Sequence, residues 1–381
     1  MMLSQRATAI APSATLAISD KAKELRRAGI DVADFSIGEP DFDTPQHIKQ
    51  AAIRAIQQGF TKYTAPAGTA ELKEAVCRKL EKENGLSYGA SQVAVSCGAK
   101  HSLYNIFLAL LNRGDEVVVP SPYWTSYPEQ IRLAGGKPVF AATDKQFHAV
   151  PKQVKTKLTK RTKAIVVNSP SNPTGAVERR ETIMELASLA EKRGVWLISD
   201  EIYEHFVYDG RKQSGPASFA YDNTIVVNGV SKTYAMTGWR IGYCAGPAAI
   251  VKAVADIQSQ TTSNPSSIAQ AAAVEALAGD QSPVRTMIAE FDRRRKYMTT
   301  RLQKMGLSCR LPEGAFYVFP EVPDKMSSSA FAALLLDKAR VAVVPGKDFG
   351  SDRHVRLSYA TGMKTIEAGM DRVERVLRGL R

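Results

Sequence analysis

The sequence has few of the residues that build metal centres and covalent staples. Its 381 residues include four cysteines and five histidines. Cys77, Cys97, Cys244 and Cys309 lie far apart with no CxxC pair, which argues against a disulfide framework or a thiolate metal cluster and predicts buried, reduced thiols in a cytoplasmic setting. His47, His101, His148, His205 and His354 show neither HExxH nor paired-ligand spacing, so no metal is expected. Long apolar runs are missing too. The longest, at residues 103–111, is far short of the roughly 20 residues a membrane helix needs. The first thirty residues interleave Ser4, Gln5, Arg6, Asp20 and Lys21 with apolar positions, so no secretory leader is expected. No internal repeat or low-complexity tract is visible.

Acidic residues are outnumbered, 38 against 51 basic, for a net charge of +13. The densest basic run, Arg293-Arg294-Arg295-Lys296, lies in a predicted helix after Glu290 and reads as a solvated helix face rather than a nucleic-acid patch. No zinc-finger spacing, RNP-like aromatic motif or N-terminal recognition helix accompanies it. The excess charge favours anionic small molecules through the overall field. With 44% hydrophobic and 23% charged residues, the composition is that of a folded chain large enough for two or three domains.

From about residue 90, short β-rich runs alternate with helical stretches. Strands are predicted at 93–97, 116–119, 137–141, 164–167, 195–199, 224–228 and 240–244, and helices at 101–111 and 181–193. In the second helix Ile183, Leu186, Leu189 and Ala190 share a face. This is the signature of an α/β unit with a mainly parallel sheet. Residues 251–278 read as a helical stretch interrupted near Asn264-Pro265. Then follow a helix at 284–305, β-rich segments at 315–319, 341–344 and 355–358, and a terminal helix at 364–380. The expected organisation is an N-terminal segment (1–45) joining a small α+β domain (284–381), with a large domain (46–283) between them.

In parallel sheets ligands gather at the carboxyl ends of strands, and Asn168, Asp200 and Ser231-Lys232 fall just past such ends. Most lysines are solvated. One that directly follows a buried strand, with Arg240 eight residues on, is placed to have its pKa lowered, which frees an amine to attack a carbonyl. Asp200 is either a helix N-cap or a fixed partner for a protonated ring nitrogen, with Tyr203 beside it. The Asn168-to-Gly175 stretch, Asn-Ser-Pro-Ser-Asn-Pro-Thr-Gly, is a plain turn or a rigid mount for the Asn172 amide. Small residues at Gly98-Ala99, opening a helix before Lys100, let backbone N–H groups approach a phosphate. Trp124 is a core aromatic or a flat surface for a ring. Arg356, alternating inside an apolar strand, needs a partner or a cavity, and a substrate carboxylate suits its fork.

Taken together, Asn172-Pro173-x-Gly175, Asp200-x-x-Tyr203, Ser231-Lys232 with Gly238-x-Arg240, and Arg356 resemble the pyridoxal-phosphate aminotransferases of fold type I. The resemblance runs from Pro12-Ser13-Ala14-Thr15 through Gly38-Glu39-Pro40-Asp41-Phe42 and Lys62-Tyr63-Thr64 to the strand of Arg356. It points to the bacterial and plastid branch of aspartate aminotransferases, some of which also use prephenate. It implies a homodimer acting on amino acids and 2-oxo acids with pyridoxal 5'-phosphate. Lys232 would join the cofactor's aldehyde and shuttle the proton, Asp200 would pair with its pyridinium, and Tyr203 and Asn172 would hold its phenolic oxygen. Trp124 would stack on the ring. Gly98, Ala99, Ser231 and Arg240, with Tyr63 from the partner subunit, would hold the phosphate. Arg356, Asn172 and the Gly38 backbone would take the α-carboxylate, and Lys100, helped by Thr15, the distal carboxylate, with Lys100 also near the phosphate. Gly229 departs from the Ser or Thr that many relatives carry three residues before the lysine. An aromatic or broad-specificity aminotransferase, or a β-lyase using the same cofactor, remains as an alternative.

Overall fold

The computed structural model describes residues 3–10 and 14–379. Strand β1 (Ala33–Asp34) comes first. Seven strands then build one sheet: β2 (Val93–Ser96), β3 (Glu116–Ser121), β4 (Lys137–Ala142), β5 (Thr162–Asn168), β6 (Trp196–Asp200), β7 (Thr224–Gly229) and β8 (Gly242–Ala245). Their order is β2-β8-β7-β6-β5-β3-β4. All neighbours run parallel except β8, which is antiparallel to both β2 and β7. Val117–Val119, Ile165–Val167, Leu197–Ile198 and Ile225–Val227 are all buried, because helices cover both faces of the sheet. Helix Arg180–Arg193 turns Ile183, Leu186, Ala187 and Ala190 inward, with Leu189 at the edge of that stripe. It stops at Gly194, whose φ of 61° is the left-handed geometry glycine adopts without strain. Asn264-Pro265 separates helices Ala248–Thr261 and Ser267–Ala278. No helix among the described residues is long and apolar enough to cross a membrane.

The C-terminal part holds helix Ser282–Lys304, β9 (Tyr317–Val318), β10 (Val341–Ala342), β11 (Val344–Pro345), β12 (Val355–Ser358) and helix Met363–Arg378. Strands β11, β12 and β9 form an antiparallel sheet in that order. Strand β1 pairs in parallel with β10, Ala33 against Val341, which ties the N-terminal segment to this part. The core here gathers Phe291, Phe316, Val355 and Tyr359, and it also takes in Ile202, Tyr203 and Phe206 from the chain that leaves β6. The end of β6 is thereby clamped between the two parts.

The structure corrects three expectations. The basic run is not a solvated face: Arg293 and Lys296 are exposed, but Arg294 and Arg295 are buried. Two successive residues on a helix stand about 100° apart, so a stripe wide enough for a core takes in both. Arg294 donates to Glu290 and to Asp41 (2.8 and 2.7 Å). Arg295 grips Asp209 with both Nη atoms (2.9 and 2.7 Å), donates to the Pro312 carbonyl (2.6 Å) and lies 4.4 Å from the Tyr208 ring centre. Second, Cys244 and Cys309 are buried, but Cys77 and Cys97 are half-buried. Third, Arg240 precedes β8 in a left-handed turn (φ 58°) rather than starting the strand. Arg295→Ala is expected to lower unfolding stability by about 3 kcal/mol, because it leaves the Pro312 carbonyl without its donor and a void beside Tyr208; the urea midpoint measures this.

Candidate functional site

Strand register brings the chemistry together. Asn168 and Asp200, the last residues of β5 and β6, are direct partners across the sheet. Asn168 donates to the Asp200 carbonyl (3.1 Å) and accepts from the Asn172 N–H (3.0 Å), which pins the 168–175 loop over the strand ends. Ser231 and Lys232 follow β7. Together with the N-terminus of helix Ala99–Leu110 and the end of β12, these elements enclose a cavity of about 320 Å³ lined by both polar and apolar groups.

Lys232 stands half-buried on the cavity floor. Its Nζ donates to the Gly38 carbonyl (2.6 Å), a neutral acceptor. Loss of water around the ammonium brings its pKa down to about 8; Arg240, Arg356 and Lys100 push the same way and Glu39 opposes them. Asp200 is buried, and burial raises its carboxyl to about 6 although the Tyr127 hydroxyl donates to it (2.6 Å) and Lys232 lies near. The Ile202 N–H adds a longer bond at 3.3 Å. The Tyr203 and Tyr317 hydroxyls meet at 2.7 Å, and burial holds both phenols above the usual range.

Arg356 is 2% exposed. Its Nη atoms donate to the Asn172 side-chain oxygen (3.0 Å) and the Ser36 carbonyl (2.6 Å), both neutral, and Nε is buried without a partner. Burial presses on this charge and lowers its pKa. No carboxylate among the described residues pairs with this guanidinium. At the other end Arg240 reaches the Thr237 carbonyl (2.8 Å) and the Cys97 carbonyl (3.3 Å). Gly98 has φ 92°, and a Cβ on it would come 2.3 Å from the Arg240 guanidinium, so the arginine lies against bare backbone at the helix N-terminus. Ala99 and Ser231 line the cavity beside it. Trp124 stands edge-on to Tyr127, with ring centres 5.2 Å apart, and the Lys100 ammonium sits 5.0 Å over the Trp124 ring. Burial, then Arg240, lowers the Lys100 pKa.

The cavity thus collects Gly38, Ala99, Lys100, Trp124, Asn172, Asp200, Tyr203, Ser231, Lys232, Arg240 and Arg356, with Gly98 just behind Arg240. Tyr63 is elsewhere, 90% exposed on the surface. Thr15 belongs to helix Ala14–Arg27, but its side chain, like Pro12 and Ser13, lies outside the described residues. The reading of the sequence missed Tyr127, Tyr317 and Ser36. Tyr127 lies three residues beyond Trp124, in the first turn of helix Ser126–Leu133, a closeness in sequence that could have found it. Tyr317 reaches the cavity, and the Ser36 carbonyl reaches Arg356, through strand pairing, and neither carries a local signal. Away from the cavity, Glu83, Glu204 and His205 converge, but the Lys79 ammonium already pairs with both glutamates.

Gly229 closes β7 against β8. A Cβ there would meet the Gly242 Cα at 2.8 Å and the Ile241 carbonyl at 2.9 Å, both backbone atoms that cannot swing away. The position therefore has no room for a hydroxyl-bearing side chain. Gly229→Ser is expected to cost about 2 kcal/mol of stability by overpacking, read as a lowered melting temperature.

The sequence pattern of the family described as Aminotransferase class I and II matches residues 30–373. The chain is 46% identical to the aspartate aminotransferase of Geobacillus stearothermophilus, over 99% of each chain. It is 47% identical to the aspartate/prephenate aminotransferase of Thermus thermophilus, over 98% of each. The solved structure of the Thermus thermophilus aspartate aminotransferase with maleate superposes with a TM-score of 0.95, at 47% identity, over 99% of this chain and 100% of that one.

Proposed function

The chain belongs to the class I and II aminotransferases, a pyridoxal-phosphate-dependent family of transaminases, and from that premise we propose that it exchanges the amino group of aspartate with 2-oxoglutarate and takes prephenate as a further substrate. One observation carries the reading: an amine with its pKa brought down to about 8 shares a cavity with a buried carboxylate and a buried guanidinium that, among the described residues, meets only neutral acceptors.

The residues fit the cofactor. Among the described residues Asp200 is a buried carboxylate with no arginine or lysine in hydrogen-bond contact, which suits a cationic ring N–H. The bare backbone at Gly98, the helix N-terminus at Ala99, Ser231 and Arg240 suit its phosphate. Trp124 offers a ring-sized wall. Pyridoxal phosphate, when bound, supplies an aldehyde that accepts the amino group and a ring that stores the electrons of the α-carbon. Lys232 would hold the cofactor through its amine and, when free, take up the proton that leaves the α-carbon. Its lowered pKa keeps a useful fraction neutral near pH 8. Asp200 keeps the ring nitrogen protonated, and Tyr127 keeps Asp200 aimed. Tyr203 and Asn172 hold the phenolic oxygen. Arg356 grips the α-carboxylate as a two-pronged donor, with Asn172 and the Gly38 backbone beside it. Lys100, exposed at the rim over Trp124, meets the distal carboxylate as a point charge. Thr15 belongs to the same proposal. The protein is proposed to act as a cytoplasmic homodimer: Tyr63 is exposed on the surface, available to a second subunit's phosphate site, and the four thiols are free.

Adding aspartate to the cofactor-loaded protein is expected to bleach its visible absorbance, and 2-oxoglutarate to restore it. An unchanged spectrum with aspartate, together with bleaching by an aromatic amino acid, would overturn the specificity. Lys232→Ala should keep the fold by circular dichroism, lose the lysine-bound absorbance and abolish nearly all turnover, and borohydride trapping should find its adduct on no other lysine. Lys100→Ala should raise KM for aspartate about tenfold, the weight of one partly desolvated charge contact, and leave aromatic substrates within twofold. Half-reaction titrations compare the two, and equal losses would move Lys100 to the phosphate.

A further inference from the structure

Strand register places one residue against several parts of the site. β9 and β12 run antiparallel with Tyr317 opposite Ser358. Arg356 is two residues from Ser358, so its side chain leaves the same face of the sheet and lies diagonally across from Tyr317. The guanidinium stands 4.5 Å from the Tyr317 ring centre. The Tyr317 hydroxyl lies 2.7 Å from that of Tyr203. It also fills the space where a side chain on residue 38 would start: a Cβ on Gly38 would come 2.5 Å from it. The Gly38 carbonyl in turn accepts from Lys232. Tyr317 is completely buried and has no freedom to swing away from these contacts.

A phenol carries one proton. If Tyr203 spends its own on the cofactor's phenolic oxygen, the short contact between the two hydroxyls can be a hydrogen bond only with Tyr317 as donor. A donor behind a donor polarises it and strengthens the forward bond. We propose that Tyr317 is a positioning residue: its hydroxyl donates to Tyr203 and so directs the Tyr203 proton at the cofactor, while its ring is the floor that aims Arg356 at the α-carboxylate. The inference rests on the reading of Tyr203 as the partner of the phenolic oxygen. It makes Tyr317 the link between the small C-terminal sheet and the chemistry at the end of β6.

The two functions separate by substitution. Tyr317→Phe removes the hydroxyl and keeps the ring; Tyr317→Leu removes both. These variants, Tyr203→Phe and the Tyr203→Phe/Tyr317→Phe double variant are loaded with pyridoxal phosphate. The absorbance of the lysine-bound cofactor is then titrated with pH, and KM for aspartate is measured. A forward bond that strengthens the anionic phenolic oxygen lowers the titration midpoint, so its loss raises it. For Tyr317→Phe the expected result is a rise equivalent to about threefold in proton affinity, with KM within twofold. Tyr317→Leu should show the same rise and a KM about fivefold higher, the scale of a lost cation–π contact. The double variant should shift no further than Tyr203→Phe alone. If the midpoint moves in Tyr203→Phe but not in Tyr317→Phe, or if the two shifts add, the proposal is overturned and the Tyr203 reading stands. If it does not move in Tyr203→Phe, both fall. A higher KM in Tyr317→Phe without a spectral shift marks a purely structural tyrosine and overturns the proposal. Should Tyr317→Leu fail to fold, the phenylalanine variants decide alone.

Discussion

A lysine ammonium held among three other cations is the constraint on which the site depends. Lys232 donates to a neutral carbonyl, not to a carboxylate; burial does most to make its charge hard to keep, Arg240, Arg356 and Lys100 add to that, and Glu39 opposes them. Like charges in a partly desolvated space separate or lose protons unless the backbone forbids it. Here it does. Arg240 is fixed by a left-handed turn and by carbonyls at Thr237 and Cys97, Arg356 by the Ser36 carbonyl and Asn172, and Lys232 by Gly38. The glycines follow from the same packing. Gly98 leaves room for one cation, and Gly38 leaves room for the tyrosine beneath another. A phosphate and a carboxylate would offset this gathering of positive charge, so the geometry of the site suits anionic ligands.

Three stretches of chain far apart in sequence meet on that arrangement. The central sheet brings Asp200 and Lys232, the C-terminal sheet Arg356 and Tyr317, and the N-terminal segment two carbonyls, Ser36 to Arg356 and Gly38 to Lys232. The N-terminal segment is anchored to the C-terminal part by β1 and β10. Its position relative to Lys232 is therefore also the position of Arg356 relative to Lys232. The clamp on Ile202, Tyr203 and Phe206 by the C-terminal core fixes the same distance from the other side. This closed loop of contacts holds the site, and a shift of the N-terminal segment would break both the Ser36–Arg356 and the Gly38–Lys232 hydrogen bonds.

The central sheet was legible from the sequence for a simple reason. Strands buried on both faces must be apolar along their length, and helices between them must carry a 3.6-residue stripe, so order and ends both leave a mark at residues 93–96, 165–167 and 197–199. The residues at the strand ends were legible because their chemistry is at odds with their apolar neighbours, as with Asp200, Lys232 and Arg356. What stayed hidden was set by register. The side chain of Tyr317 points at Arg356 because Tyr317 pairs with Ser358 rather than with its neighbour, and nothing in the residues around 317 records that choice. The Arg293–Lys296 run misled for a related reason. Charge normally predicts exposure, but Asp41 and Asp209, more than eighty residues away in the chain, turn two of its four cations inward. Arg240 was assigned to a strand by apolar neighbours that begin only after its turn.

The difference between Arg356 and Lys100 bears on which substrates the cavity tolerates. Arg356 is buried and pinned at both ends, so it presents a fixed fork to one carboxylate and demands one orientation. Lys100 is exposed, with its ammonium over Trp124. A compact charge on a flexible stem attracts an anion over a range of distances and directions, and the aromatic face beneath it accepts an apolar group when no anion is present. In the proposed reading, discrimination at the α-carbon end is therefore strict and at the side-chain end permissive. On that proposal, acids of different reach would share one site because only one of the two cations assigned to them is held rigidly.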